Sequence, residues 1–205
     1  MSKIRFVSVF GILAAGILQA QEVPPFTFNV GAGFVEPQRS FGRFTDVGWN
    51  VGGGAGFNFN PWLSALLDVN YNQMGINSNT LFNLGAPGGT VGIWSFTVDP
   101  VVHLTRKSRF DVYVTGGGGI YRRQDTLTTP AGGFSPFGFG YGYYGGFGNA
   151  VLASYSVNKP GWDAGAGINL GSKWRMKFYA EARYNRVYTN NGLTDYIPVT
   201  FGVKF

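Results

Sequence analysis

The chain has 205 residues, no cysteine, 33 glycines, 17% aromatic and only 13% charged residues, with a formal net charge of +6. A soluble domain usually carries about 25% charged residues, and the lack of cysteine excludes disulfide frameworks, thiol nucleophiles and Cys-ligated zinc. The mean hydropathy is +0.01, and no run of about 20 apolar residues follows the N-terminal region, which excludes a helical membrane protein.

Residues 1–20 have the order of a secretory signal peptide. Lys3 and Arg5 form a basic start, Ile4 and Phe6 through Leu18 an apolar stretch, and Leu18-Gln19-Ala20 a cleavage site ending on a small residue. No cysteine follows, which argues against a lipoprotein. Loss of Lys3 and Arg5 lowers the formal net charge from +6 to +4 over the mature part, 21–205. That excess is scattered, and no basic patch or zinc-finger spacing points to nucleic acid.

From residue 26 the pattern is period-2 alternation that restarts after each turn-like segment, as in strands whose successive side chains face opposite sides. The first segment sets Phe26, Phe28, Val30, Ala32 and Phe34 against Thr27, Asn29, Gly31 and Gly33. The second sets Val47, Trp49, Val51, Ala55, Phe57 and Phe59 against glycines and asparagines, and Asn60-Pro61 ends it. The third alternates from Leu63 to Tyr71, the fourth from Trp94 to Leu104, the fifth from Phe110 to Ile120. The sixth runs from Trp162 to Leu170, the seventh from Trp174 to Tyr184, and the last from Ile197 to Phe205. Leu66, Ile93 and Val101 break the rule on the polar face, and Pro100 on the apolar one.

Segments of about ten residues suit a tilted membrane strand. The connections after Phe59, Leu104 and Leu170 are short, while 37–46, 75–92, 122–160 and 186–195 read as long. Short turns on one side and long loops on the other are the arrangement of outer-membrane barrels. The second face is mostly Gly, Asn, Ser and Thr rather than Lys and Glu, which suits a narrow enclosed interior better than a solvated sandwich face. The expected fold is all-β: an eight-stranded antiparallel up-and-down transmembrane β-barrel. A ten-stranded variant with an extra hairpin inside 123–160 is the alternative.

The last six residues, Thr200-Phe201-Gly202-Val203-Lys204-Phe205, resemble the closing-strand signal of outer-membrane barrels, with a terminal Phe205 after alternate hydrophobics and an upstream Gly202. Over about 26–205 the pattern resembles the OmpA/OmpX-type small barrel family, of the outer membrane protein β-barrel domain kind. The resemblance implies location in the cell outer membrane and recognition of Phe201, Gly202, Val203 and Phe205 by the barrel-assembly machinery. It also implies contact with outer-membrane lipid and lipopolysaccharide, and a monomer. The chain stops at Phe205, so the periplasmic peptidoglycan-binding domain of full-length OmpA-type proteins is not expected.

Parity places Asp68, Asp99, Asp111, Asp163 and Glu181 inward, with Arg175, Lys177, Arg183 and Lys204 as fixed bases and His103 as a titratable partner. Buried charges persist when paired, so the expected lumen is blocked by ion pairs; a narrow pore is the alternative. A symmetric turn at Lys107 sets His103 across from Asp111. Such a pair, with Ser108 near, could serve lipid A chemistry. It falls at the periplasmic end, away from the outer leaflet, without a nucleophile motif, so a structural hydrogen bond is expected and no enzyme. Asp68 should face Gly54 and reach toward Arg175 or Lys177. Arg39, Arg43, Arg122, Arg123, Lys159 and Arg186 lie in or beside expected loops, where they could meet lipopolysaccharide phosphates. Gly116–Gly119 lacks the pattern of a phosphate loop. No cofactor or metal site is expected. The Gly- and aromatic-rich run Phe134–Gly148 reads as a loop or raised strands, with adhesion as its functional alternative. The expected role is structural, in envelope integrity, with exposed loops for surface contacts.

Overall fold

A computed structural model describes residues 24–105, 110–130, 149–171, 176–189 and 192–205. The signal-peptide reading of 1–20, the link holding Lys107 and Ser108, the run Phe134–Gly148, and Trp174 and Arg175 lie outside the described residues.

Eight strands close into one antiparallel barrel in chain order. They are β1 (Phe26–Gln38), β2 (Gly48–Asn58), β3 (Leu63–Gly75), β4 (Gly88–His103), β5 (Phe110–Pro130), β6 (Asn149–Gly171), β7 (Lys177–Thr189) and β8 (Gly192–Lys204). Closure runs through β1 and β8, from Asn29 opposite Lys204 to Gln38 opposite Asp195. The backbone amides of Phe28 and Phe205 exchange hydrogen bonds at the seam, at 2.7 and 2.9 Å. Eight strands rather than ten form because 122–130 and 149–160 continue β5 and β6 as a raised ribbon, edged by β4 as far as Gly88 opposite Thr128, instead of inserting a new hairpin. The ribbon carries one register shift at Leu127/Thr128.

The long connections differ from the sequence reading at three places. Much of the expected β7–β8 loop is ladder, because Val187, Tyr188 and Thr189 pair with Thr194, Leu193 and Gly192. The β3–β4 connection contains a short helix, α1 (Ser78–Leu84), with Asn77 as N-cap accepting from the Thr80 amide and Gly85 at φ 63° ending it. The β1–β2 connection holds a 3-10 turn, Phe41–Arg43, whose Phe41 folds into the barrel mouth.

The outer wall is apolar and open: Leu67 is 60% exposed and Ile120 61%. A contiguous surface of this kind belongs against another apolar phase. Aromatic rings cluster near both rims. Phe26, Phe57 and Phe59 pack edge to face at the short-turn end, with ring centres 5.4 and 5.2 Å apart. Trp49, Tyr71 and Trp94 form a row toward the long-loop end, at 5.5 and 4.8 Å. Trp and Tyr at these levels match the belts at a membrane–water boundary.

Inside, the polar face is interrupted by apolar residues in two places. Val35, Phe41, Met74, Val91, Ile93, Tyr121, Val187 and Tyr196 form a buried cluster toward the long-loop end. Leu66, Val101 and Tyr113 form a smaller one toward the short turns. The exceptions to alternation at Leu66, Ile93 and Val101 are therefore the residues that close the lumen. Pro100 has no amide to give, and the β4–β5 ladder is interrupted between Val98 and Val101. Gly117 fills this gap, where an added Cβ would strike the Val98 carbonyl and the Asp99 carboxylate.

Candidate functional site

The central lumen is an ionic cluster between the two apolar layers. Arg183, inward on β7, is 5% exposed. Its Nη1 lies 2.6 Å from Asp99 Oδ2, 3.4 Å from Asp68 Oδ2 and 3.5 Å from Asp163 Oδ1. Its Nη2 and Nε donate to Glu181 Oε1 at 2.7 and 3.0 Å. The planar fork of arginine allows one side chain to serve several carboxylates at once. Neutral donors add to this, on the same oxygen as Arg183 for Asp99 and Asp68 and on the other oxygen for Glu181 and Asp163. Thr97 Oγ1 donates to Asp99 Oδ2 at 2.9 Å, Tyr113 OH donates to Glu181 Oε2 at 2.9 Å, and the Asn70 amide donates to Asp68. Tyr121 OH lies 3.2 Å from Asp163 Oδ2. The cavity beside the cluster, lined by Asp68, Asn72, Thr97, Glu181, Arg183 and Thr200 among others, has about 20 Å³ of free space. That is room on the scale of a single water.

This arrangement refines the expected network. Asp68 faces Gly54 as anticipated, but its carboxylate reaches Arg183 rather than Lys177. Arg175 is outside the described residues. Lys177 is exposed at the short-turn mouth, and neither it nor Lys204 makes an ion pair among the described residues. The Lys204 ammonium instead lies over the rings of Tyr113 and Tyr179, at 4.9 and 5.9 Å. The charges expected to cancel broadly are thus segregated, with four acids around one guanidinium.

The second node is His103. Its Nδ1 is 2.7 Å from Asp111 Oδ2, which also accepts from Asn169 Nδ2 at 2.7 Å. The ladder differs from a turn centred on Lys107: His103 pairs across from Tyr113, and Asp111 sits two residues nearer the turn. The side chains still meet because all three positions face inward. Ser64 Oγ is 3.4 Å from His103 Nε2, so a serine, a histidine and an aspartate stand in the order of a nucleophile, a base and its orienter. The cavity that touches Ser64 has about 10 Å³ of free space, and Ser64 is 7% exposed. The node is a chain of hydrogen bonds that ties β3, β4, β5 and β6 together inside the lumen. Ser64, Asn169, Tyr113 and Tyr121 were missed by attention to charge alone; inward parity marks each of them.

The third grouping is on the outer wall. Arg186 on β7 and Asp195 on β8 are cross-strand partners facing outward, joined at 2.9 and 3.0 Å. Arg39 Nε approaches the same carboxylate at 3.5 Å. Of the other expected outward arginines, Arg43 and Arg122 are exposed. Arg123 is a correction: it shares the inward parity of Tyr121, grips Asp125 at 2.8 and 3.0 Å, and lies over the Phe41 ring. Lys159 lies across from Tyr121 on the same inward face.

A closed, up-and-down barrel with an apolar exterior, aromatic rims and a packed polar interior defines a small transmembrane β-barrel. The sequence matches the family described as Outer membrane protein beta-barrel domain over residues 6–205, and the chain belongs to that family. It is an outer-membrane protein. Among solved structures it is similar to Neisserial surface protein A, with 15% identity over 88% of this chain and 96% of that one, at a TM-score of 0.58. It is also similar to a major outer membrane protein from Thermus thermophilus, with 11% identity over 89% and 99% of the two chains, at a TM-score of 0.52. At these identities the likeness is one of fold. No curated protein matches the sequence significantly.

Proposed function

We propose that this protein is a non-conducting, monomeric barrel with a structural role in envelope integrity, exported through residues 1–20. Its closing strand, with Phe201, Gly202, Val203 and Phe205, is the segment the assembly machinery reads. The observation that carries the structural reading is the layered lumen. An apolar plug, an ion cluster on Arg183 and a second apolar plug follow one another along the axis. Hydrated ions crossing it would have to strip their water at both apolar layers. Purified mature protein in planar bilayers should give no steady single-channel openings in most insertions. Regular openings of defined conductance would support a narrow pore and overturn this reading.

A second reading, surface adhesion, is favoured by the raised β5–β6 ribbon. Val151, Leu152 and Tyr155 are 57–63% exposed on it, beyond the last β6–β7 pair at Gly161. Replacing 123–160 by a short turn should leave the barrel folded and abolish binding to host or neighbouring cells if the ribbon is adhesive. Unchanged binding would remove that function. Lipid contact along the outer wall, including lipopolysaccharide at the long-loop rim, completes the proposal.

A further inference from the structure

We propose that Arg39 and Arg186 form a docking site for the phosphate of an outer-leaflet lipid, lipid A, on the outward wall of β7, β8 and β1. This rests on the reading above that the wall meets outer-leaflet lipid.

Arg186 stands one outward step beyond Tyr184. Its Nε and Nη2 hold both oxygens of Asp195, and Nη2 also donates to Tyr184 OH at 2.8 Å. Its guanidinium lies 5.6 Å from the Tyr184 ring centre and 5.9 Å from that of Trp162. The side chain is therefore fixed before any ligand arrives, and preorganisation of this kind favours binding. Nη1 donates to none of the described residues, so an edge of the fork remains.

Arg39, the residue just after β1, reaches the same carboxylate. It is the only non-glycine with positive φ among the described residues, at 54°. A left-handed arginine is disfavoured by its own Cβ, and such outliers persist where the surroundings over-determine them. Here the conformation carries the side chain to Asp195 while leaving it 70% exposed, against 2% for Asp195. One buried carboxylate thus orients two guanidinium groups, Arg39 largely exposed and Arg186 partly so. Glu36 is the nearby outward acid; it pairs across the ladder with Ile197 and forms no ion pair with either arginine.

The height is suited to a headgroup. On the same face Ile197, Val199 and Phe201 continue toward the short-turn end as hydrocarbon-facing side chains. Tyr184 lies one outward step below Arg186 and Trp162 is the cross-strand partner of Arg186, so the arginine stands at the level of the aromatic belt. The unused Nη1 of Arg186 and the largely exposed guanidinium of Arg39 together suit a phosphate monoester, which accepts several charge-assisted hydrogen bonds. An acyl chain of the same lipid would lie along Val199 and Phe201, contacts that free phosphate lacks.

The test uses the mature protein in micelles with diphosphoryl lipid A, dephosphorylated lipid A, or inorganic phosphate alone. Retained lipid is counted by native mass spectrometry, and the heat-modifiable gel transition reports stability. Diphosphoryl lipid A should be retained and should raise the transition, while the other two should do neither. Arg39→Gln leaves the Arg186–Asp195 pair intact and should weaken retention on the order of tenfold, as expected for loss of a charge-assisted bond. Adding Arg186→Gln should abolish retention. Lys177→Gln, which removes an exposed cation at the opposite, short-turn mouth, should change nothing. Wild-type retention in Arg39→Gln would overturn the site while sparing lipid contact in general. No retention by the wild type would overturn the lipid reading itself. Equal protection by inorganic phosphate would overturn the lipid as the source.

Discussion

Replacing Arg183 by methionine tests the lumen most directly. The side chain keeps much of its volume and loses the one cation shared by Asp68, Asp99, Asp163 and Glu181. At an effective dielectric of about 20, each contact near 3–4 Å has a gross Coulomb energy of about 4 kcal/mol or more. Most of this is offset by desolvation, so the gross sum is not the effect. Removing one partner of a single buried pair typically costs about 3–5 kcal/mol. Here four carboxylates lose a common partner, so that range is a lower bound, set against a total stability of about 5–15 kcal/mol for an ordinary domain. Arg183→Met should therefore fail to give the compact, heat-modifiable band when refolded in detergent micelles at neutral pH. Adding Asp99→Asn and Glu181→Gln, at the two closest acids, should restore much of the folded band. If Arg183→Met alone refolds with a urea transition within about 1 kcal/mol of wild type, charge pairing does not hold this lumen together.

Three further outcomes follow from the packing. His103→Ala should leave lipid A acylation unchanged by mass spectrometry but lower stability by about 1–3 kcal/mol, because Asp111 loses a charge-assisted partner; altered acylation would make the node catalytic. Gly117→Ala should destabilise by about 1–3 kcal/mol, since the added Cβ would lie 2.9 Å from Asp99 Cα and closer still to two oxygens. Gly116→Ala on the outward face, where the nearest atom is at 3.3 Å, should be tolerated in the same urea titration. Tyr113→Phe should cost about 1 kcal/mol or more by leaving Glu181 Oε2 without its 2.9 Å donor, and a neutral result would show that Arg183 alone suffices for Glu181.

The alternation of apolar and small residues makes strand number, handedness of faces and closure legible from the chain, because a one-residue slip would turn every side chain to the wrong phase. Inward placement of Asp68, Asp99, Asp111, Asp163, Glu181 and Arg183 followed from parity alone. What parity cannot give is height around a sheared barrel. Asp99 and Arg183 are 84 residues apart and meet at 2.6 Å, while Lys177, on the same strand and face as Arg183, ends at the mouth. The register of a short link is also underdetermined, which is why the His103 ladder is offset from a turn at Lys107 although the hydrogen bond forms. Arg123 misled for a related reason: strands that continue past the membrane keep their two-sided pattern, so a residue beside an expected loop still faces inward.

The ribbon built from the ends of β5 and β6 rises from a cylinder whose register is fixed on its two flanks, at Gly161 opposite Val187 and, along β4, up to Gly88 opposite Thr128. Lengthening or shortening its tip by paired residues therefore adds or removes rungs without disturbing the staves beneath. The molecule separates a foundation that tolerates little change from a mast that can be re-rigged freely, and foreign segments inserted near its tip should be displayed well clear of the lipid surface.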